Sequence, residues 1–252
     1  MSGAMNAAEQ VTAKATGPES LSAESRATAA RLAESYRVSP LDMVPNPSPL
    51  LVESTEEVAV PTPNGLFGLR AWRFADGAEH LSARALDRDG NPVPYEGGGA
   101  PAVRIHSECA TGDIFGSFRC DCGPQLENGL RIIGRTGGYL VYVRNHEGRG
   151  IGLVNKLRAY ALQDAGLDTL DANLALGLDG DMRDYSQAAL ILQELGVNEL
   201  RLVTNNPAKQ EALESLGLQV TEIIPDEIPA RVENAHYLQT KRERMRHVLK
   251  SA

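Results

Sequence analysis

The pattern of apolar and polar positions changes character partway along the chain. Between Val58 and His106, short apolar-rich runs are separated by turn residues, which predicts β-strands, beginning with a hairpin that turns at residues 61–65. After Gly123, helical spacing of apolar residues alternates with short buried runs, which predicts alternating helices and strands. We therefore predict an α/β fold, with a mixed β-sheet flanked by helices and a β-rich N-terminal part.

The individual elements follow from these local patterns. In the first part we predict strands at residues 58–60, 66–74, 80–86 and 102–106, with a glycine loop at 97–99. In the second part we predict strands at 139–143, 199–203 and 219–224, and helices at 125–134, 151–163, 185–195, 207–216 and 234–249.

The first 52 residues differ from the rest of the chain. They are rich in Ala, Ser, Thr and Glu and then in Pro, which is typical of a weakly ordered segment. One helix is predicted from Ser22 to Tyr36, and the prolines that follow end it. We predict a mobile N-terminal extension at 1–52 and one folded domain at 53–252.

Composition narrows the class of protein. The net charge of −8 and the pI near 5.2 argue against a nucleic-acid partner, although they leave room for a small anion held by local arginines. No apolar run reaches the roughly 18 residues that cross a bilayer, and the N-terminus has no apolar signal core. We therefore expect no membrane association and a cytoplasmic location.

The cysteines are the first sign of chemistry. Cys109, Cys120 and Cys122 are the only three in the chain, and such a cluster predicts metal binding rather than a disulfide framework. Three thiolates suit tetrahedral zinc with one position open. His106 is either a fourth ligand or part of the pocket wall. The nucleobase deaminases share an H-x-E signature, but here the paired cysteines are separated by one residue, which weakens that reading.

A second candidate site lies between a predicted strand and a predicted helix. Its sequence is Glu147-Gly-Arg-Gly-Ile-Gly, and glycines at a helix N-terminus let backbone N–H groups approach an anion. The spacing is not that of a dinucleotide-binding loop, so an ordinary strand-to-helix turn is the alternative. The Glu147 carboxylate is suited to bind the N1–H and exocyclic amine of guanine.

Six ordered motifs together resemble the GTP cyclohydrolase II family. The resemblance extends from about Glu53 to Leu249. Its motifs are the three-cysteine segment, Glu147-Gly-Arg-Gly-Ile-Gly-Leu, Asn155-Lys-Leu-Arg-Ala-Tyr-Ala-Leu-Gln, Asp168-Thr-Leu-Asp-Ala-Asn, Asp181-Met-Arg-Asp-Tyr and Thr204-Asn-Asn-Pro. One departure is His146, where family members often have glutamine.

The resemblance implies a reaction, cofactors and an assembly. The family is a hydrolase that converts GTP to 2,5-diamino-6-(ribosylamino)-4(3H)-pyrimidinone 5'-phosphate, formate and pyrophosphate, the first committed step of riboflavin biosynthesis. It uses one Zn2+ per chain and Mg2+ with the triphosphate, and it forms homodimers. The folded domain is then a GTP cyclohydrolase II-like catalytic domain.

The resemblance also implies roles for single residues. It makes Cys109, Cys120 and Cys122 the zinc ligands, and Asp181, Arg183 and Tyr160 catalytic: Asp181 as proton acceptor and Arg183 as the group that attacks the α-phosphate or clamps it. The GTP-contacting positions that it implies are Arg104, Ile105, His106, Ser107, Glu108, Gln125, Glu147, Gly148, Arg149, Thr169, Thr204 and Lys209.

Some of these residues also have a simpler structural interpretation. Asp181 and Arg183 could form a solvated ion pair, and Tyr160 could be a core residue of an amphipathic helix. At the level of function, the rivals are a specialised paralogue that stops at the formamide or uses a modified guanine nucleotide, and a non-catalytic zinc-stabilised nucleotide-binding module.

Overall fold

The computed structural model of the 252-residue chain describes residues 21–36, 38, 47–234, 238–240 and 242. The strands are β1 Leu51–Ser54, β2 Val58–Thr62, β3 Gly65–Phe74, β4 Glu79–Leu86, β5 Ala102–Ser107, β6 Gly138–Val143, β7 Glu199–Val203 and β8 Gln219–Ile224. The helices are α1 Ala23–Ser35, α2 Ala110–Asp113, α3 Cys122–Thr136, α4 Gly152–Asp164, α5 Thr169–Ala175, α6 Ser186–Glu194 and α7 Pro207–Ser215.

All eight strands belong to one mixed sheet, in the order β1-β3-β4-β6-β5-β7-β8, with β2 also paired to β3. The first four strands and β6 form antiparallel pairs. Strands β6, β5, β7 and β8 run parallel. In a parallel sheet the carboxyl ends of strands meet at one edge, where ligands bind near a change of winding direction. Here β6 lies on one side of β5 and β7 on the other, so the loops after these strands converge.

The period of the strands places side chains in two layers of core. Val103 and Ile105 of β5 point to one face of the sheet, where α6 covers them with residues such as Ile191. Ala102 points to the opposite face, which α3 covers through Ile133. Because both faces are covered, β6 is almost continuously apolar, as expected for a parallel strand, whereas β5 also buries the polar side chains of Arg104 and His106.

Helix α1 packs outside the sheet, against the helices that follow β6. Ser22 caps its N-terminus by accepting a hydrogen bond from the Ser25 amide. Ala29 is buried in a third apolar cluster together with Ala159 and Leu162 of α4. The predicted helix at 22–36 is therefore present, and its apolar side lies on α4.

The fold class is confirmed, and most elements lie within a few residues of their predicted bounds. Helix α3 begins at Cys122 rather than at residue 125 because Pro124 is tolerated in the first turn of a helix. Strand β1 begins at Leu51, two residues before the predicted start of the folded domain. Helices α2 and α5 were not predicted. They have four and seven residues, which is too short for a periodic pattern of apolar residues to be recognised.

Two further predicted elements are the glycine loop and the C-terminal helix. The glycine loop at 97–99 overlaps a short 3-10 turn, Glu96–Gly98. Most of the predicted terminal helix at 234–249 lies outside the described residues. Within the described ranges, none of the helices is both long and apolar enough to cross a bilayer.

Candidate active site

A pocket opens at the edge of the sheet where β5, β6 and β7 end. The empty space within and in front of it is about 1070 Å³, including the part open to solvent. Its wall contains the three cysteines and, apart from Ile105 and Asp181, every residue predicted to act on or contact the substrate: Arg104, His106, Ser107, Glu108, Gln125, Glu147, Gly148, Arg149, Tyr160, Thr169, Arg183, Thr204 and Lys209.

The two exceptions are in contact with residues of this wall. Ile105 is fully buried in the core, and its backbone oxygen accepts a hydrogen bond of 2.8 Å from the Lys209 ammonium. Asp181 pairs with two of the wall's arginines, Arg183 and Arg149. Each of these two residues is therefore linked to the pocket by the wall residue that it contacts.

The cysteines converge at one end of the pocket. Their sulfur atoms all lie within 4.8 Å of one another, and Cys109 Sγ is 3.7 Å from Cys120 Sγ. Cys109 follows β5 and Cys122 begins α3, so two elements bring distant sequence positions together. All three are free thiols. The cluster could hold a metal ion, as the spacing predicted.

Two glycines let the chain close around this cluster. A Cβ on Gly112 would lie 3.0 Å from Cys120 Sγ and 3.1 Å from Cys109 Sγ. A Cβ on Gly123 would lie 2.5 Å from the backbone oxygen of Gly112. Side chains at either position would push α2 away from α3. The thiols thus line a compact cradle, and a soft cation fits the donor set.

His106 is not part of the cluster. Its Nε2 lies 3.1 Å from both carboxylate oxygens of Asp113, and its ring stacks on Tyr142. Burial lowers the pKa of His106 most strongly, partly offset by the hydrogen bond to Asp113. Of the two readings that the sequence left open, the structure supports a position in the pocket wall. Among the residues that the structure describes, the metal-capable group consists of the three cysteines.

Lys156 of α4 is a buried cation beside the thiols that the sequence reading missed. Its Nζ lies 3.1 Å from Cys109 Sγ and 2.5 Å from Glu147 Oε1. Burial alone would lower the pKa of Lys156, but the Cys109 charge and the Glu147 hydrogen bond raise it. Lys156 therefore offsets part of the negative charge that clustered thiolates bring.

The Glu147 carboxylate is fully engaged by the protein. Oε1 accepts from Lys156 and, at 3.1 Å, from the Gly148 amide, while Oε2 accepts from the Ala110 amide at 2.6 Å. Glu147 thus links the loop after β6 to the residue that follows Cys109. The side chain lies in the predicted pocket, but its contacts are those of a group that holds the thiol side in place.

Tyr160 lies one helical turn after Lys156 and faces the same pocket. Its hydroxyl is 3.3 Å from Thr111 Oγ1, and the Arg119 guanidinium lies 4.3 Å from its ring centroid. Burial raises the pKa of Tyr160, while the Lys156 charge opposes that shift. Tyr160 is therefore a pocket residue beside the thiols rather than a core residue.

Asp181 and Arg183 form a tight pair at the other end of the pocket. Arg183 Nε donates to Asp181 Oδ1 over 2.8 Å, and Arg149 Nη1 lies 3.7 Å from Asp181 Oδ2. The Arg183 side chain is only 11% exposed, whereas that of Asp181 is 39% exposed, so the pair has a shielded guanidinium and a carboxylate that reaches solvent. Although burial raises the pKa of Asp181, its hydrogen bonds and charge contact with Arg183 lower it overall.

Arg104 and Lys209 lie deeper than the other pocket cations. The Arg104 guanidinium donates to the Val203 backbone oxygen and to Gln125, and it forms a 2.9 Å ion pair with Asp226. Burial, and then the charge of Arg104, hold the pKa of Lys209 well below its usual range. Arg104 is therefore already neutralised. Arg149 and Arg183 share the single carboxylate of Asp181, and a bound anion would favour the charged form of Lys209.

The loop after β6 has a strained backbone. Asn145 and Arg149 have φ of 67° and 69°, and Arg149 is a residue type that seldom takes this conformation. Hydrogen bonds hold it, since the Arg149 amide donates to His146 and its oxygen accepts from Met182. Such outliers cluster at functional sites.

Several wall residues were not predicted from sequence. Lys156 carried a signal, because it precedes Tyr160 by four residues and so shares its helix face. Arg119, His146, Asn173, Asn205 and Asn206 had no comparable signal. With these included, the wall holds six lysine and arginine side chains and only two glutamates, in a chain of net charge −8. The pocket is suited to an anionic ligand.

Comparisons with known proteins agree with this site. Residues 53–225 match the family model described as GTP cyclohydrolase II. The chain is 51% identical over 200 residues to the riboflavin biosynthesis protein RibBA of Rhodococcus jostii, covering 79% of this chain and 47% of that protein. It is 50% identical over 199 residues to RibBA of Mycobacterium marinum, covering 79% and 46%. The chain thus spans about half the length of these curated relatives.

A solved structure was also found: RibBX, a two-domain 3,4-dihydroxy-2-butanone 4-phosphate synthase from A. baumannii, aligns with a TM-score of 0.35 and 19% identity, covering 69% of this chain and 40% of that chain. A likeness at that level carries no argument. The thiol cluster and cationic pocket on a mixed sheet define a metal-capable site suited to an anionic ligand. The chain belongs to the GTP cyclohydrolase II family.

Proposed function

We propose that this chain is a GTP cyclohydrolase II, which hydrolyses GTP to 2,5-diamino-6-(ribosylamino)-4(3H)-pyrimidinone 5'-phosphate, formate and pyrophosphate. The observation that carries the proposal is a single pocket with a three-thiol cluster at one end and a group of cations at the other. The reaction needs both ends, because it opens a purine ring and cleaves a phosphoanhydride of the same molecule. Residues 53–252 form the catalytic domain.

The metal of this site is zinc, one per chain, held by Cys109, Cys120 and Cys122. Three thiolates with no fourth ligand among the described residues would leave one position of the metal open, and bound zinc would supply the Lewis acidity that activates water toward a purine carbon. Tyr160 borders the same end through Thr111, so its hydroxyl is placed to contact the reacting base.

The cationic end would hold the triphosphate, and Mg2+ would accompany it and offset part of its charge. Arg149, Arg183 and Lys209 offset its charge. We assign Arg183 as a clamp on the α-phosphate, since a guanidinium stays protonated in water and is a poor nucleophile. Asp181 orients that guanidinium and accepts a proton only weakly, because the contact with Arg183 lowers its pKa.

The remaining contacts are assigned by position. Ser107 and Glu108 end β5, Thr169 begins α5 and Thr204 follows β7, so each borders the cleft from a different element. Gln125 and Arg104 hold each other at the floor of the pocket. Glu147 is adjacent to both halves.

We also propose that the chain works as a homodimer in the cytoplasm. Leu153, Val154 and Leu157 lie about half exposed on one side of α4, and Ile114 and Phe115 are 74% and 82% exposed after α2. Exposed apolar groups of this kind are typical of surfaces that another protein covers. Sedimentation of the purified chain would give the mass of two chains, and a monomer at micromolar concentration would exclude the dimer.

The direct test of the function is incubation of the purified chain with GTP and magnesium. We expect formate and pyrophosphate in equal amounts and the diaminopyrimidine product by mass spectrometry. A formamide product without formate would assign the chain to the specialised paralogues. Binding of GTP with no product would make it a nucleotide-binding module.

A further inference from the structure

The segment that carries Asp181 and Arg183 has no regular secondary structure. Residues 178–185 connect α5 to α6 without a helix or strand. The position of such a segment depends on contacts with its neighbours, because no helix or sheet ladder holds its backbone groups. One contact is a backbone hydrogen bond of 2.9 Å from the Met182 amide to the Arg149 oxygen.

A second contact comes from the His146 side chain. His146 Nε2 lies 2.8 Å from the backbone oxygen of Asp184, and its Nδ1 lies 3.1 Å from Ser107 Oγ. The ring is buried and meets the Tyr185 ring edge-on, with centroids 5.2 Å apart. One imidazole thus connects the end of β5 to the residue that follows Arg183.

These partners define the state of the imidazole. A carbonyl oxygen only accepts, so Nε2 carries the proton, and Nδ1 of the neutral ring then accepts from the Ser107 hydroxyl. Burial first, and then the charge of Arg183, lower the pKa of His146 to about 3. The bridge is therefore intact throughout the neutral pH range and is not a titrating switch.

We propose that His146 is a positioning residue that holds the Arg183 segment against the end of β5. It acts through the backbone of Asp184, so that the guanidinium faces the phosphate end of the pocket. The assignment of Arg183 to pyrophosphate release rests on the proposed function, whereas the bridge itself does not.

Two substitutions of similar size separate a hydrogen-bonding role from simple filling of space. His146→Gln keeps an N–H donor for Asp184 and an oxygen that can accept from Ser107, whereas His146→Leu keeps only the apolar volume. We expect His146→Leu to lower kcat for pyrophosphate release at least tenfold, with KM for GTP changed less than threefold, since the other phosphate contacts remain. His146→Gln should stay within threefold of the unsubstituted chain in both.

Hydrogen–deuterium exchange tests the bridge without relying on turnover. The amides of residues 178–185 should exchange at least tenfold faster in His146→Leu than in His146→Gln, while those of β5 and β6 stay protected. Exchange that is equal in the two variants, or a kcat in His146→Gln as low as that in His146→Leu, would overturn the proposal. A chain that turns over no GTP but shows the exchange difference would refute the function and leave the bridge standing.

A third measurement applies even where His146→Leu does not fold. In long-range 1H–15N spectra of the unsubstituted chain at pH 7, His146 should be neutral with the proton on Nε2. A proton on Nδ1, or a charged ring, would contradict the hydrogen bonds that define the bridge.

Discussion

The two ends of the pocket are built in different ways. The thiol end rests on regular elements: Cys109 directly precedes α2, Cys122 begins α3 and Lys156 lies within α4. At the cationic end, Arg149 lies in the loop after β6 and Arg183 in the irregular segment at 178–185, while Lys209 alone lies within a helix, α7. A metal cradle needs fixed ligand positions, whereas a phosphate clamp must admit and release a flexible triphosphate. We therefore expect a substitution in one half of the pocket to impair the reaction of that half more than the reaction of the other.

Removal of one zinc ligand should have the largest effect and tests whether the two halves act independently. Cys120→Ser should lose the metal and lower formate release about 1000-fold, since metal activation of water is worth several kcal/mol. Pyrophosphate release should persist at a reduced rate because Arg149 and Arg183 are untouched. Elemental analysis and parallel assays of both products test this. Equal loss of the two products in a folded, zinc-free variant would show that the halves do not act independently.

Removing the clamp should have the next largest effect. Arg183→Ala should lower pyrophosphate release about 100-fold, the scale of losing one charged donor to a developing charge. Zinc content should stay at one per chain, because no thiol contact changes. Arg131→Ala, at an exposed position of α3, is the matched control and should behave as the unsubstituted chain. Wild-type pyrophosphate release in Arg183→Ala would move the clamp to Arg149 and Lys209.

A substitution at Glu147 tests which half of the site this residue supports. The sequence suggested that its carboxylate reads the guanine edge, but the structure engages both oxygens with Lys156 and backbone amides. Glu147→Gln should therefore destabilise the chain by about 3 kcal/mol, as breaking a buried ion pair does, and weaken zinc retention. Its preference for GTP over ITP should not change.

Urea unfolding and competition between the two nucleotides measure these effects. Glu127→Gln, at an exposed position of α3, serves as the control. If Glu147→Gln loses its preference for GTP while keeping its stability, the carboxylate reads the base after all.

The smallest effect is expected at the N-terminus. A chain that begins at Pro47 keeps every pocket residue, so its turnover per folded chain should match that of the full chain. It loses α1, which covers Ala159 and Leu162 of α4, so its thermal midpoint should fall by about 3–6 °C. Circular dichroism melting and initial rates test both parts. Lost turnover in a folded truncation would show that α1 also shapes the site.

The sequence predicted well where the signal was local. The strands at 139–143 and 219–224 are confirmed because short apolar runs bounded by turn residues have few other readings. The metal cluster was visible because three cysteines fall within 14 residues and none occurs elsewhere. Both predictions agree with the folded structure because each depends on residues that are close together in the sequence.

Other features depended on contacts between distant positions. Nothing near Arg104 in the sequence indicates that Asp226 neutralises it, 122 positions away, and so removes it from the phosphate group. The contacts of Lys156 with Cys109 and Glu147 join α4 to the loops after β5 and β6, and no single motif contains all three. Tertiary structure alone shows which charges are already paired.

The central claim is that one pocket carries two separable reactions on GTP, and reversible removal of zinc tests it most directly. Formate and pyrophosphate are measured together from the same chain, first as purified, then after chelation and dialysis, then after zinc is restored, with magnesium present throughout. We predict equal amounts of the two products, then pyrophosphate with almost no formate, then recovery of formate. Undiminished formate release from zinc-free chain, or no formate from zinc-loaded chain, would contradict the account.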